Sequence, residues 1–533
     1  MARRLGWLPQ ARWKRWLLFL GIAGFLLVSL IITLAVTAFL LWRSPPIQGW
    51  VMMRVLGREV RQPGQIPSVP ALSNAERALL STNALEIRKA GELFQPNKVW
   101  DIQLQFTSNQ WVALGPNQVP PVFNFMRPDG SITLRNPQAS RNGLAGVFGL
   151  DLPWSEASID FGNAHLEKVG ARFKGNGTFV NSQRTYKRPF KIDLNRNIKS
   201  QKLAGRSTLN LHNLTADASC LSDTLAYEFF RAAGVPASRT AFARVRLSVQ
   251  DRFSDRLLGL YVLVENPDTE WAREQFGCEG VALFKPVTYE LFKDLGDDWK
   301  AYEGIYDPKT KLKPRQYRRV IALARFVTQA SKAEFDEGVS EFIDLDEFAR
   351  FLACQVILSN YDGFLSNGQN FLIYLDPNTE KFGFIPWDLD HCWGEFPFVG
   401  TIQQREQASI WRPWVGENRF LERMLAVPKF RDQYRQQLER VRKSFFIPER
   451  LGRRLDELAT VVRPFITEES SRRLTRFARE TSDVESRATN LSASGQQPPG
   501  FNLKRFFDQR AASVSAQIEG RAEGIILTRR SGR

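Results

Sequence analysis

The sequence predicts an α+β protein of two lobes, in which a strand-rich half carrying one helix is followed by a helix-rich half. Short runs of alternating apolar and polar residues dominate from Lys98 to about residue 210 and return before Glu265. Helical patterns then dominate to the C-terminus, apart from a strand-forming segment at 344–394. The chain has 533 residues, which is enough for two hydrophobic cores.

The composition excludes several kinds of site. Lys and Arg number 73 against 56 Asp and Glu, which gives a net charge of +17, and there are only 3 His and 4 Cys. No two histidines have the spacing of an HExxH zinc site, and no CxxC pair is present, so buried thiols are expected. Acids are interspersed among the basic residues, which argues against a nucleic-acid partner. The chemistry must therefore rely on carboxylates, amides and lysines.

The N-terminal region predicts a membrane anchor. Residues 16–42 are uncharged and apolar, and they exceed the ~20 residues that a bilayer core requires. A signal peptide is the alternative, but its apolar region runs roughly 7–15 residues. The basic tail 1–15 contains no acid, so the positive-inside rule favours a cytoplasmic N-terminus and an extracytoplasmic remainder. We therefore expect a single-pass protein of the cell (inner or cytoplasmic) membrane, with 43–92 as a juxtamembrane spacer containing a short helix near Asn74–Gly91.

The strand-rich half is predicted at 93–266. Its strand patterns lie at 99–106, 123–134, 169–180, 187–196, 240–249 and 257–265. The helix within this half is predicted at 217–236, with Asp217 or Ser219 as the N-cap and Gly234 followed by Pro236 as stop signals. The remaining residues, 267–533, form the helix-rich half. Its last helix has an apolar stripe along 503–518, which favours docking onto the large lobe over a membrane surface.

Chemically informative residues concentrate within 344–394. Asp344 and Glu347 predict a capping box at the start of a helix that ends before Asn360. Asp362 then begins a loop.

Two short strands follow this loop and form a hairpin with a turn at Pro377. Pairing Leu375 with Phe382 would place Asn370 beside Asp388. Oxygen donors would converge at this end of the hairpin, and they are the donors that Mg²⁺ prefers. The donors are Asp362, Asn367 or Asn370, and Asp388, with Asp390 behind them. A loop Asp, an amide five residues later and a strand-end Asp are the parts that a protein kinase uses.

Two blocks of sequence carry a family resemblance: NYDGFLSNGQNFLIYLD and KFGFIPWDLDHCWGEF. They resemble the signature of the CotH kinase family, the spore-coat-protein-H-like atypical protein kinases. The upstream segments RFKGNGT, KRPFKIDLNR, LHNLTADASCLSDTLAYEFFRAAGVPA and GLYVLVE stand in the order of that family's elements. The resemblance spans roughly 93–525. Departures from ordinary kinases are the missing GxGxxG loop, Asn360-Tyr361 in place of His-Arg, and Leu389-Asp390 in place of Phe-Gly.

The resemblance implies a diverged kinase-like bilobal domain, with its N-lobe at 93–266 and its C-lobe at 267–533, behind the membrane helix. It implies transfer of the ATP γ-phosphate, with Mg²⁺ or Mn²⁺, to Ser or Thr of envelope or coat proteins. By carry-over, Asp362 would be the catalytic-loop residue, Asp388 would bind the metal, and Asn370 or Asn367 would supply the amide ligand. Lys191, or else Lys187, would contact phosphates, and Glu265 would lie near the hinge. Asp390 and His391 would support the site from behind.

Two alternatives to a protein kinase remain at this point. One is a pseudokinase or envelope-assembly scaffold, and the other is a metal-dependent phosphotransferase or hydrolase acting on a non-protein envelope substrate. A cytoplasmic catalytic domain is the alternative topology, because ATP is scarce outside the cytoplasm.

Overall fold

The computed structural model describes residues 72–115, 117–118, 150–175, 177–182, 185–483 and 501–529. Two hydrophobic cores lie within these ranges, one inside a sheet of the first half and one among helices that begins in the first half and fills the second. The predicted α+β class is therefore found. The strand hairpin predicted at 123–134 lies outside the described residues.

The predicted membrane localisation is corrected by the structure. Among the described residues, no helix has the length and apolar character needed to cross a membrane. The expectation of a single-pass membrane protein is contradicted by this finding. The apolar segment 16–42 and most of the spacer, on which that expectation depended, lie outside the described residues.

The first half is built mainly of strands. Its strands are β1 Leu80–Ser81, β2 Val99–Phe106, β3 Asn117–Gln118, β4 Leu150–Asp151, β5 Ser155–Phe161, β6 Ala164–Phe173, β7 Phe190–Asp193, β8 Thr208–His212, β9 Thr240–Val249 and β10 Phe253–Glu265. Its helices are α1 Asn74–Arg77, α2 Ala90–Leu93, α3 Ser108–Ala113, α4 Gly177–Ser182 and α5 Ser222–Ala232. The strands predicted at 99–106, 240–249 and 257–265 are confirmed.

Three local predictions in this half need correction. In place of the single helix expected near Asn74–Gly91 there are two short ones, α1 and the start of α2, because the chain between them turns to pair β1 with β2. The end of the strand predicted at 169–180 is the helix α4. Helix α5 begins at Ser222, later than predicted, because Asp217 accepts bonds from the backbone N–H groups of Ser219 and Ser222 in a turn before the helix.

The main sheet closes on itself. Its order is β2–β5–β6–β7–β8–β10–β9, and β9 pairs in parallel with β2 to complete the ring, while β1 flanks the start of β2. Alternate side chains such as Ile102 and Leu104 point into the interior and are fully buried. Closure satisfies the backbone hydrogen bonds of both edges, so the barrel forms a rigid base beside the helices.

The second half is mainly helical. Its helices are α6 Thr269–Phe276, α7 Trp299–Tyr306, α8 Pro314–Gln329, α9 Lys332–Phe342, α10 Leu345–Ile357, α11 Ile402–Glu406, α12 Arg419–Ala426, α13 Pro428–Ser444, α14 Pro448–Glu469, α15 Ser471–Thr481 and α16 Leu503–Ile518. Its strands are β11 Ala282–Phe284, β12 Phe371–Leu375 and β13 Phe382–Pro386, which form an antiparallel sheet in that order. Helix α16 packs against α13 and α14 and buries Phe507 and Val514, which confirms the predicted docking. Of the four cysteines, all free, only Cys278 is not fully buried.

Acidic residues at the end of α14 join the two halves. Glu469 accepts a bond from Lys187 at 2.5 Å and another from the backbone N–H of Leu260 at 3.1 Å. Its carboxylate fits because residue 259 is glycine: a Cβ on Gly259, which has φ +103°, would lie 2.3 Å from Glu469 Oε2. Beside it, Glu468 pairs with Arg244 of the barrel at 2.6 Å. The barrel and the helices are therefore held together by ion pairs that are largely buried.

A buried arginine ties the last helix to the end of α10. The guanidinium of Arg510 is fully buried and donates to the carbonyl oxygens of Val356, Ile357, Glu406 and Ala408 at 2.7 to 3.3 Å. These carbonyls would otherwise be buried without enough donors, since the last carbonyls of a helix have no partner within it. Arg510 thus fixes the point at which the chain leaves α10.

We expect Arg510→Lys to lower the free energy of unfolding by about 3 kcal/mol, because one ammonium cannot reproduce the spread of the guanidinium donors. Urea unfolding measures the change. The matched control is Arg521→Lys on the exposed surface, which should change stability by less than about 0.5 kcal/mol. Equal midpoints for Arg510→Lys and the wild type would contradict this role.

Helix α10 has the predicted N-cap residue, Asp344, but not the predicted capping box. Asp344 accepts bonds from the N–H groups of Asp346 and Glu347, whereas the Glu347 carboxylate turns inward and accepts a bond from the Phe384 N–H at 3.2 Å. The capping box is absent because this buried strand amide takes the glutamate. Burial raises the pKa of Glu347 to about 8, although the hydrogen bond from Phe384 acts to lower it.

This raised pKa predicts a pH-dependent stability. In the unfolded chain a glutamate has a pKa of about 4.3. Between that pH and about 8, the folded state keeps the Glu347 proton and the unfolded state loses it. The free energy of unfolding therefore falls as the pH rises through this range. Glu347→Gln keeps an oxygen that can accept the Phe384 hydrogen bond. It has no titrating carboxylate, so the loss of stability with rising pH disappears. We expect it to stabilise the protein by on the order of 2 kcal/mol at pH 8 and by almost nothing at pH 4.5. Urea unfolding at both pH values, with the exposed Glu337→Gln as control, tests it; an equal effect at both would refute it.

Candidate active site

The loop after α10 folds tightly behind Asp362. The backbone N–H groups of residues 366–368 all donate to the carbonyl of Gly363 at 2.9 to 3.1 Å. Gly368 has φ +60°, and a Cβ there would lie 1.9 Å from the carbonyl oxygen of Thr288, so only glycine fits. The loop therefore returns toward its own start.

Two asparagines hold the Asp362 carboxylate. Asn367 Nδ2 donates to Oδ1 at 2.6 Å, and Asn370 Nδ2 donates to Oδ2 at 3.1 Å and to the Asp362 carbonyl at 2.7 Å. Burial raises the pKa of Asp362 to about 6, Asp388 adds to the rise, and His391 opposes it. The sequence left open which asparagine lies at the site, and the structure brings both to Asp362.

The hairpin has the predicted register. Leu375 pairs with Phe382, and the Trp387 N–H donates to the Asn370 carbonyl at 3.2 Å, which places Asn370 beside Asp388. Asn370 and Asp388 both adopt left-handed backbone, with φ +59° and +55°. Asn and Asp are the side-chain-bearing residues that tolerate this conformation best. The hairpin therefore ends in two sharp bends that carry polar side chains.

Helix α5 supports the second bend. The Asp388 N–H donates to the Tyr227 hydroxyl at 3.0 Å, and the Leu389 N–H donates to Asp223 Oδ1 at 2.7 Å. The other Asp223 oxygen lies 2.7 Å from His212 Nδ1, which is 3.6 Å from Asp388 Oδ1. The conformation at Asp388 thus depends on α5 and on the end of β8.

Positive charges from both halves of the chain lie close to Asp388. The ammonium groups of Lys174 and Lys285 lie 5.4 and 5.0 Å from the centre of the Trp387 ring. Burial lowers the pKa of Lys174, and it lowers the pKa of Lys285 to about 7, although the nearby Asp388 opposes both shifts. Burial acts to raise the pKa of Asp388, but His212 and the two lysines hold it below its usual value. Asp388 is therefore ionised at neutral pH.

Asp390 and His391 meet Asp362 from the other side. One possible ligand atom from each of the three lies within 4.8 Å of the others, which is a spacing that could hold a metal ion. Burial raises the pKa of Asp390 well above its usual range. Burial acts to lower the pKa of His391, but Asp390, Asp362 and its ring partner Glu395 raise it well above its usual value. Asp390 and His391, which were predicted to support the site, thus lie close to the Asp362 carboxylate.

The two lysines predicted to contact phosphates lie in different surroundings. Lys191 Nζ lies 3.4 Å from Asn266 Oδ1, and burial lowers its pKa to about 8, with Arg172, Lys309 and Lys174 adding to the fall. It therefore belongs to a group of cations next to Lys174.

Lys187 is held differently, by Glu469 at 2.5 Å. Burial lowers its pKa to about 8, and its other ionisable neighbours are Arg473 and Cys220. These neighbours belong to α14, α15 and the segment before α5.

Glu265, predicted near a hinge, is a fully buried centre of ion pairs at the end of β10. Arg206 Nε donates to it at 2.9 Å, and Arg239 donates through Nε at 2.9 Å, NH2 at 2.6 Å and its backbone N–H at 3.2 Å. Both arginines also contact Glu274 of α6. The network links the barrel to the first helix that follows it.

Five residues at the site escaped the sequence-based prediction. They are Lys174, His212, Asp223, Tyr227 and Lys285. Lys174 stands in the RFKGNGT segment of the family resemblance, and Asp223 and Tyr227 are spaced i, i+4 on α5, which puts them on one helix face. For His212 and Lys285 no local pattern exists, since a lone polar residue at a strand end is ordinarily a surface residue.

Comparison with known proteins supplies a family match and one relative. The model of the family described as CotH kinase protein matches residues 171–513, which is more than half of the chain. The "Inner spore coat protein H" of Bacillus subtilis (strain 168) is 27% identical over 283 residues, which cover 52% of this chain and 74% of that protein. The matched range includes every residue assigned to the site above.

Two solved structures show distant likeness. A chain of the Shewanella oneidensis MR-1 toxin–antitoxin complex of HipA, HipB and operator DNA is 10% identical, with coverage of 62% of this chain and 63% of that one and a TM-score of 0.26. This chain thus spans less than two thirds of that relative. The Helicobacter pylori proinflammatory kinase CtkA is 11% identical, with coverage of 54% and 94% and a TM-score of 0.22. Scores this low do not establish a shared fold.

The asparagine clamp can be tested by its effect on stability. Asn367→Ala removes the 2.6 Å bond to the partly buried Asp362 carboxylate, so we expect the free energy of unfolding to fall by about 1–2 kcal/mol. Urea unfolding measures this. Asn378→Ala, in the exposed turn of the same hairpin, is the control and should have little effect. A variant at 367 as stable as the control variant would argue against the clamp.

Proposed function

The chain belongs to the CotH kinase protein family, and from this premise we propose that it transfers the γ-phosphate of ATP to Ser or Thr side chains of a protein. Family membership supports an atypical kinase. The finer assignment, to ATP, a divalent ion and a hydroxyl acceptor, is our proposal from the charges of the site.

The proposal rests on one observation: several cations lie close to the carboxylates around Asp388. Lys174 of the barrel and Lys285, directly after β11, both lie close to the Trp387 ring, and Lys191 and Arg172 lie near Lys174. The helical side supplies the acids of the loop and the hairpin. A partly buried group of cations with few acids among them is unfavourable unless an anion joins it. A triphosphate chain is the kind of anion that matches several lysines next to a carboxylate.

A divalent cation fits the oxygen donors of the site. The ionised Asp388 carboxylate is a hard oxygen donor, and the amides of Asn370 and Asn367 each have a carbonyl oxygen besides the N–H that Asp362 accepts. Asp388 and one or both asparagines would therefore hold Mg²⁺ or Mn²⁺, and Asp390 stands next to them. When bound, the ion would neutralise charge on the phosphates.

The chain's own residues would divide the remaining work. Asp362, whose oxygens are fixed by two amides, would orient the acceptor hydroxyl as a hydrogen-bond acceptor. Lys174 and Lys285 would bind phosphate oxygens, with Lys191 further along the same face. Trp387, whose ring lies close to both ammonium groups, would interact with them through its π face and exclude water.

The test is phosphate transfer by Asp388→Asn. Asn tolerates the left-handed backbone at this position and keeps the shape, so the variant should fold normally while losing the charge. We expect transfer of label from γ-labelled ATP with Mg²⁺ or Mn²⁺, to the chain itself or to casein, to fall at least about 100-fold. Label is counted separately in protein, free phosphate and lipid.

Asp376→Asn is the matched control, because Asp376 lies on the same hairpin at the opposite end, where it caps the turn through Asn378 and Thr379. It should transfer phosphate like the wild type. Full activity of Asp388→Asn would sink the proposal. Wild-type label found only in free phosphate would favour a hydrolase, and no transfer together with no nucleotide-dependent rise in melting temperature would favour a pseudokinase.

A further inference from the structure

The conformation at Asp388 is held from outside the hairpin. An aspartate at φ +55° is in an unfavourable region, so it persists only where its surroundings fix it. Two side chains one turn apart on α5 do this: Tyr227 accepts from the Asp388 N–H, and Asp223 accepts from the Leu389 N–H. Leu389 is fully buried, so its N–H would have no water to replace Asp223.

His212 in turn fixes Asp223. The Asp223 carboxylate is fully buried, with one oxygen bonded to the Leu389 N–H and the other 2.7 Å from His212 Nδ1. The distance from Nδ1 to Asp388 Oδ1 is 3.6 Å, which is too long for a hydrogen bond. His212 therefore reaches the bend through Asp223 and not by a direct bond.

The other ring nitrogen of His212, Nε2, does not take part in this contact. His212 Nε2 is buried and has no hydrogen-bond partner among the residues that the structure describes. Of the ring's polar atoms, only Nδ1 is anchored, and the edge of the ring packs against Trp387 at 6.0 Å between centres. The orientation of the imidazole is thus linked to Asp223 by one bond and to the hairpin by one aromatic contact.

We propose that His212 is a positioning residue for the phosphate-transfer site, which acts through Asp223 to lock the Asp388–Leu389 bend and so to aim the Asp388 carboxylate. Its catalytic consequence rests on the function proposed above, while its effect on the bend does not. The chain of contacts runs from β8 of the barrel through α5 to the hairpin. Displacement of α5 would release the bend, which makes the position of this helix decisive for the site.

Two substitutions separate the roles of the ring nitrogens. The amide nitrogen of Asn sits near the position of Nδ1, and that of Gln sits near the position of Nε2. His212→Asn therefore keeps a donor for Asp223, and His212→Gln does not. Hydrogen exchange read by mass spectrometry, on peptides spanning 387–392, reports the Leu389 amide without nucleotide, metal or acceptor.

We expect exchange of this amide to become at least about tenfold faster in His212→Gln and to stay within about threefold of the wild type in His212→Asn. Phosphate transfer should fall in the first variant and largely recover in the second. His165→Gln is the matched control, since His165 Nδ1 also pairs with an aspartate, Asp160, but on the exposed surface of the barrel. It should leave exchange at 387–392 unchanged.

Three results would overturn the proposal. Slow exchange in both variants would remove any positioning role, and fast exchange in both would assign the effect to ring packing on Trp387. Fast exchange in His212→Asn with slow exchange in His212→Gln would assign the role to Nε2. A wild type that transfers no phosphate, yet shows the expected difference in exchange, would remove the proposed function and leave the positioning of the bend intact.

Discussion

The structure depends most on one constraint, the full or partial burial of several carboxylates at the junction of the barrel and the helices. Asp223, Asp362, Asp388 and Asp390 all lie at this junction, and a buried charge is strongly unfavourable unless hydrogen bonds or opposite charges compensate it. Each one is compensated differently. Asp362 has two amides, Asp223 has a histidine and a backbone N–H, Asp388 has lysines, and Asp390 has His391.

These partners come from both halves of the chain, so neither half could form the site alone. The barrel supplies Lys174 and His212, at the ends of β6 and β8, whereas the loop and hairpin of the helical half supply the acids. Helix α5 stands between them. The barrel is rigid because its sheet closes, and ion pairs to α14 fix its position, so the cations and the acids meet in a defined arrangement.

The departures from the ordinary kinase pattern have structural counterparts. At Asn360-Tyr361, in place of the usual His-Arg, Asn360 Nδ2 donates to Gln355 and the Tyr361 ring is buried, so both residues serve the packing of the loop. At Leu389-Asp390, in place of Phe-Gly, the leucine fills the core and the aspartate adds a second carboxyl group beside Asp362. The family match over 171–513 is therefore compatible with a site whose supporting residues have changed.

The sequence by itself determined the elements that repeat a local pattern. It predicted the α+β class, strands such as β2, β9 and β10, the register of the β12–β13 hairpin, and the proximity of Asp362, Asn370 and Asp388, since spacing along one short segment fixes these. It was wrong about the membrane localisation and about the start of α5, where Asp217 forms a turn before the helix. Only the tertiary structure brought Lys174, Lys285 and His212 to Asp388 and placed Lys187 and Glu265 in ion pairs. These contacts join residues that are distant in sequence, and they follow from barrel closure and helix packing, which no local periodicity encodes.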